Sequence, residues 1–428
     1  MTSDAPAPGR GLDLGPMRAT RFAADGPALA ARLSPPYDVI DDAQRSRLLE
    51  SSPRNVVELI LPSPGADGRP DYDGAAQRLA RDVADGTMAV DADPALYVYE
   101  MAGADGRATR GLVGAVRLHE ADEGVIFPHE NVMAGPVADR LALMEAAQAN
   151  LEPIYLIYQG GGAAADAVAR VSDTEPVAEA TTPDGTRHRL WAVVEPAAVD
   201  AIRADLARRT AVIADGHHRY ATYLELRRRA DGPGPWDRGL TLLVDSTQFG
   251  PQVEPIHRVV PDLDFAAAIG QAQPDFAVDE IDSADLAGDP PAVLGALDAL
   301  DGRAGEFAAV VTDGVRAALV HRPRSGAGGE PEDLLADLDV TVVHSDLVQG
   351  CWSRPDTVDA LQYAHSAADA IAAARAERGV AVLLRPTPVE AVLAIAGAGL
   401  RMPRKSTLFV PKPASGLVLR RFADQPES

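Results

Sequence analysis

Between residues 111 and 229, strand-length apolar runs alternate with helix-length segments, and this alternation constrains the fold more than any other feature of the chain. The run from Gly111 to Leu118 reads as a strand. Helix 137–149 leads to strand Pro153–Tyr158, and a Gly/Ala spacer at 160–165 opens helix 164–171. Strand 188–194 and helix 197–208 follow. Ala211-Val212-Ile213 then runs into Asp215-Gly216 and a helix to about 229. A chain that switches repeatedly between period 2 and period 3.6 must cover its strands with its helices, which predicts an α/β fold of mixed sheets with flanking helices.

The flanks are less regular. Residues 1–30 read as a loose lead-in. Ser34-Pro35-Pro36-Tyr37-Asp38-Val39 reads as a rigid extended turn, because each proline fixes its own φ and biases its predecessor. A helix over 42–51, a strand over Asn55–Leu61 and a helix over 71–85 follow. Ala95–Glu100 pairs with 111–118 through the Gly-rich stretch 103–107. Beyond an acidic, turn-rich stretch at 263–301 and a loop at 322–333, helix 364–378, strand 380–384 and helix 388–398 are expected. No repeat of 20–50 residues is visible. The expected division is an N-terminal α/β region (1–110), a core carrying the site motifs (111–260) and a C-terminal α/β region ending in a basic segment (261–428), packed as one compact unit.

Composition excludes several function classes. The 40 Lys+Arg face 63 Asp+Glu, a formal charge of −23, and so acidic a surface repels nucleic acid and anionic membranes. One cysteine, Cys351, leaves neither a disulfide framework nor a multi-cysteine zinc site. No apolar run approaches the roughly 18 residues of a membrane span, and the first residues lack a secretory pattern, so a cytoplasmic protein without membrane or nucleic-acid partners is expected. Two lysines, Lys405 and Lys412, leave 38 of the 40 cations as arginine. Asparagine occurs three times, at 55, 131 and 150. A residue type kept this rare points to chemistry that arginine or aspartate cannot supply.

Three segments carry candidate chemistry. In Ile213-Ala214-Asp215-Gly216-His217-His218-Arg219-Tyr220 an apolar strand enters a tight turn and a helix starts at once. Free N–H groups and the helix dipole converge there, which suits phosphate; Arg219 could clamp it and the histidines could donate. The plain alternative is an Asp N-cap, a turn glycine and a polar first turn. In Pro128-His129-Glu130-Asn131, with Asp139-Arg140 behind it, Glu130 is a candidate general base, and the alternative is a polar turn beside a surface ion pair. Met133 stands where a zinc-protease motif would need its second histidine. Residues 401–422 hold six cations and no acid until Asp424, and Lys405-Ser406-Thr407 with Lys412 reads as an anion site; the alternative is a basic strand pairing with an acidic body.

On these residues the chain resembles the domain-of-unknown-function family numbered 1015. The likeness runs through Ser34–Val39, His129-Glu130-Asn131, Asp139-Arg140, Ala214–Tyr220, Met402–Thr407, Pro411-Lys412 and Ser415-Gly416, nearly the whole chain. The central part also resembles the ParB/sulfiredoxin-like superfamily and, within it, free-serine kinases: Pro128-His129-Glu130, a helix, Pro153-Ile154, then Asp215 to Arg219 run in the same order. That resemblance implies a nucleotide-dependent phosphotransferase acting on a small hydroxyl substrate, with free serine as an acceptor. It implies Glu130 as base with His129 and Asp215 beside it. Gly216, His217, His218 and Arg219 would hold nucleotide phosphates, with Lys405, Ser406, Thr407 and Lys412 adding to that site. Asn131, Arg140 and Tyr220 would meet the substrate, and Asp215 would hold Mg²⁺ with ATP or ADP. Two other readings use the same residues: a metal-assisted phosphatase or hydrolase, and a non-enzymatic nucleotide-binding regulator.

Overall fold

The computed structural model describes residues 11–171, 174–281, 305–324, 330–355, 357 and 360–426. The expected loop at 322–333 and the acidic stretch at 263–301 lie partly outside those residues. The fold is mixed α/β, as the alternation predicts. The chain divides into two units, Met1–Pro251 with Pro411–Ser428, and Gln252–Val410. The expected boundary at 110/111 falls inside a strand, Ala108–Arg117.

The first unit is built on a nine-stranded sheet. Its strands are β1 (Leu14–Gly15), β2 (Leu96–Ala102), β3 (Ala108–Arg117), β4 (Ile126–Phe127), β5 (Ile154–Tyr158), β6 (Ala178–Thr181), β7 (Arg187–Val193), β8 (Ala211–Asp215) and β9 (Arg238–Asp245). The order is β4-β8-β5-β9-β3-β2-β7-β6, with β1 on β3. The β8–β4 and β9–β5 pairs are parallel, and the others are antiparallel. All five residues of β5 and all seven of β2 are buried, the pattern of strands covered on both faces.

Besides the short helix Gly26–Ala30, the α-helices of this unit are α1 (Asp42–Ser51), α2 (Val57–Ile60), α3 (Tyr72–Ala84), α4 (Ala134–Ala147), α5 (Gly162–Val171), α6 (Pro196–Leu206) and α7 (His217–Arg229). Two expectations fail near the N-terminus. The apolar run at 57–60 is helix, not strand. Asn55 decides this: its Oδ1 accepts the Val57 N–H at 2.9 Å, starting a turn, while its Nδ2 donates to the carbonyls of Ala31 and Leu33. The lead-in is also not loose beyond residue 10, since Leu12, Leu14 and Met17 are fully buried and β1 pairs Leu14 with Val116.

The second unit carries β10 (His257–Val260), β11 (Ala277–Ile281), β12 (Glu306–Thr312), β13 (Ala317–Pro323), β14 (Gln362–Ala364) and β15 (Val380–Leu383), ordered β11-β13-β12-β15-β10-β14. Helices Phe265–Ala272, Ala367–Ala376 and Val389–Gly397 belong to it, the last two within a few residues of expectation.

Candidate functional site

The site begins with a bulge. Ile213 stands opposite Leu156, yet Asp215 stands opposite Tyr155, so Ala214 is the extra residue of β8. Successive residues of β5 face opposite sides of the sheet, so this insertion turns Asp215 away from the Ile213–Leu156 side to the side of Tyr155. Gly216 then takes φ +87°, a left-handed conformation without penalty only for glycine, and α7 starts one residue later. Gly216, not Asp215, is the N-cap, and as a glycine it has no side chain with which to cap the helix. The dipole and the N–H groups of the first turn converge at this end of the helix, the general setting of an anion site.

Asp215 is instead the hub of a buried charge network. Arg219, one turn on, donates to Asp215 Oδ2 at 2.6 Å, and Lys412 pairs with Oδ1. Arg219 also donates to the Pro153 carbonyl and is 4% exposed, so its guanidinium holds the strand–helix corner together and does not extend toward a ligand. Burial alone would lower its pKa, but Glu152 and Asp215 more than offset this and keep it charged. The Lys412 side chain is 18% exposed, the more accessible of the two cations on Asp215.

Glu152 is the residue that sequence reasoning missed. It is buried, and its Oε1 accepts both the Tyr37 N–H at 3.0 Å and the Ser415 hydroxyl at 2.9 Å. One carboxylate thus ties the Ser34–Val39 turn to the returning 411–416 segment. Burial pushes its carboxyl above the usual range, against the pull of Arg219 and Arg140. An acid between Leu151 and Pro153 in an apolar strand entry was the available signal. Tyr99 does similar work: its hydroxyl accepts the Ala414 N–H at 3.1 Å and bonds His188 Nδ1 at 2.8 Å.

The Pro128–Met133 loop reaches the same place. The His129 N–H donates to His217 Nε2 at 3.3 Å across 88 residues of sequence, and the two rings meet edge to face at 4.5 Å. The Met133 N–H donates to His218 Nε2 at 3.0 Å. Both Nε2 atoms therefore carry lone pairs in this arrangement, and each ring's proton sits on Nδ1. Glu130 is half-buried and Asn131 exposed on the loop so held.

Other expected substrate residues face inward. Arg140 is buried, bonded to Asp139 and the Ile60 carbonyl, with its guanidinium 4.3 Å over the Tyr37 ring. The Tyr220 hydroxyl accepts the His119 N–H at 3.0 Å and donates to the His119 carbonyl at 2.7 Å. Lys405, Ser406 and Thr407 belong to the second unit. There Arg258 donates to the Lys405 carbonyl at 2.8 Å, Ser406 Oγ to the Pro403 carbonyl at 2.6 Å, and Thr387 Oγ1 to the Ser406 carbonyl at 2.9 Å. For a magnesium ion, Asp215 fits poorly with Lys412 in place, since both its oxygens already meet cations. Among the described residues no three His, Cys, Asp or Glu side chains gather as a metal site.

The sequence family described as "Protein of unknown function (DUF1015)" matches residues 14–341. No curated protein matches. Among solved structures the chain is similar to a free serine kinase variant in complex with ADP (14% identity, TM-score 0.35, 72% of this chain and 90% of that one). It is also similar to a conserved hypothetical protein from Pyrococcus furiosus (17%, 0.33, 72% and 93%). A third is C-terminally truncated SbnI from Staphylococcus aureus (11%, 0.35, 72% and 86%). Among the described residues no helix is long and apolar enough to cross a membrane.

Proposed function

Since the chain belongs to the DUF1015 family, whose description names no reaction, we propose a function from the site itself: nucleotide-dependent transfer of a phosphoryl group to a small hydroxyl substrate, free serine being the first acceptor to test. One observation carries the reading. The loop bearing Glu130 is fastened to the N-terminus of α7 by two backbone-to-histidine hydrogen bonds, with Lys412 on the adjacent Asp215. A candidate general base, the N-terminus of α7 and the cation of Lys412 thus meet at one end of β8.

Each role follows from the chemistry of its group. The first N–H groups of α7 and its dipole receive phosphate oxygens. Lys412, a compact charge on a flexible stem, turns from Asp215 to the transferring phosphate; Arg219 stays behind to neutralise Asp215. Glu130 accepts the proton of the attacking hydroxyl. Positioning and charge stabilisation then supply most of the rate, because phosphoryl transfer needs little covalent help. No step runs through Asp215-bound magnesium, for which the carboxylate has no free oxygen.

The test is turnover of ATP or ADP with L-serine, read as O-phosphoserine. Glu130→Gln keeps shape and removes the base, so turnover should fall about 10²–10⁴-fold while nucleotide still binds. Wild-type turnover by Glu130→Gln would return Glu130 to a polar turn. Nucleotide loss without serine phosphorylation would favour the hydrolase reading.

A further inference from the structure

We propose that Tyr155 is a positioning residue of the Asp215 site: its hydroxyl replaces Lys412 on the Asp215 carboxylate when the lysine leaves. The inference rests on the proposed function, in which Lys412 turns from Asp215 to the transferring phosphate.

The motive is an unused donor. Tyr155 is fully buried in β5, and its hydroxyl has no hydrogen-bond partner among the described residues. Tyr97, Tyr99, Tyr220 and Tyr223, also buried, use theirs on Asp91, His188, the His119 carbonyl and the Glu152 carbonyl. A buried hydroxyl left idle destabilises a fold, and a phenyl ring fills the same space without it. A hydroxyl at 155 therefore points to a second state in which it is used.

The sheet sets that hydroxyl beside a fitting partner. Tyr155 stands directly opposite Asp215 across the bulge, and such pairs share a face with Cβ atoms about 4.5–5.5 Å apart. Its neighbours Ile154 and Leu156 belong to the large apolar core on the other face. On the Tyr155 face the register runs through Leu242 and Val113 to Tyr97, with Tyr99 two residues on. Asp215 and Tyr99 are the groups that hold the returning segment, through Lys412 and the Ala414 N–H. In strand order Tyr155 lies between them. Burial, and then the charge of Asp215, push its phenol pKa well above the ordinary value, so the hydroxyl keeps its proton and stays a donor.

The exchange moves no proton. Arg219 keeps Asp215 Oδ2 at 2.6 Å, and the oxygen that Lys412 gives up accepts the Tyr155 O–H. A hydrogen bond to a carboxylate is roughly twice as strong as one between neutral groups, so the new bond offsets part of the loss of the lysine. Release of Lys412 toward phosphate is easier by that amount.

Lys412→Met removes the ammonium, keeps most of the stem and imitates the released state. In urea unfolding of the full chain, Tyr155→Phe should leave wild type as stable as before or slightly more so. In the Lys412→Met background it should lower the folding constant about tenfold, or about 1.4 kcal/mol. NMR of chains labelled at tyrosine Cζ gives a second reading that needs no double variant: the Tyr155 resonance should shift on Lys412→Met and on pyrophosphate binding. Calorimetry with pyrophosphate should show Tyr155→Phe weakening affinity about tenfold in wild type and leaving it unchanged in Lys412→Met. Equal stability effects of Tyr155→Phe in the two backgrounds, or a Tyr155 resonance indifferent to Lys412→Met, would overturn the exchange. Coupled stabilities beside a pyrophosphate affinity indifferent to Lys412→Met would uphold the exchange and strike the phosphate reading.

Discussion

Two turns present cations, and they are built in opposite ways. At 215–219 the charges are inside: Asp215, Arg219 and Glu152 are buried, and only Lys412 keeps access to a ligand. At 403–407 the backbone is held from below while the lysine faces out. Buried Arg258 grips the carbonyls of Arg404 and Lys405, and the Lys405 side chain is exposed at φ +55°. Both segments read alike as clusters of basic and polar letters. What separates them is whether each cation already has a buried acid to neutralise, and only packing decides that.

The sharpest way to break this comparison is Arg219→Ala. It leaves Asp215 and Glu152 buried with less compensation, so the first unit should lose about 3–5 kcal/mol in urea unfolding. Arg258→Ala should destabilise the second unit by about 1–3 kcal/mol through the lost bonds to the carbonyls of Ile256, Arg404 and Lys405, seen as faster amide exchange at 403–407.

Acid should weaken the support of the Lys412 segment. Burial, only partly opposed by Asp184, lowers the His188 pKa to about 4, and His188 anchors Tyr99, which holds the Ala414 N–H. The unfolded chain protonates this histidine first, near pH 6.5, so stability is full above that value and falls as pH drops toward 4. Between pH 6.5 and 5 the loss is about 2 kcal/mol, and His188→Asn should remove that part of the slope.

Lys412→Ala should weaken pyrophosphate binding about tenfold, or about 1.4 kcal/mol. Lys405→Ala, the smallest change, should stay within about 0.5 kcal/mol in stability and leave phosphate affinity as it was. Equal effects of the two lysine changes on anion binding would erase the distinction between the turns.

The α/β class was legible because strand and helix periods differ over the whole 111–229 stretch. The strand–glycine–helix corner at 215–217 was legible too, since a glycine after an apolar strand and before polar residues has few other uses. Three things were not. Asn55 turns an apolar run into helix through a local side-chain bond that periodicity ignores. Glu152 gathers partners from residue 37 and residue 415, and no local pattern announces such a meeting. Arg140, Arg219 and Tyr220 looked like ligand groups because a sequence shows charges and hydroxyls but not the internal groups that consume them.

The interruption of the first unit by residues 252–410 sets an order of events during synthesis. The ribosome makes that intervening stretch before it delivers Lys412, Ser415 and Arg420. At about 5–20 residues per second the wait is roughly 10–30 s. Throughout it, Asp215 lacks its lysine, Glu152 its serine and Tyr99 the Ala414 amide. A nascent or C-terminally clipped chain therefore cannot assemble the Asp215–Lys412 pair, and the chemistry proposed for it stays silent until the final segment arrives.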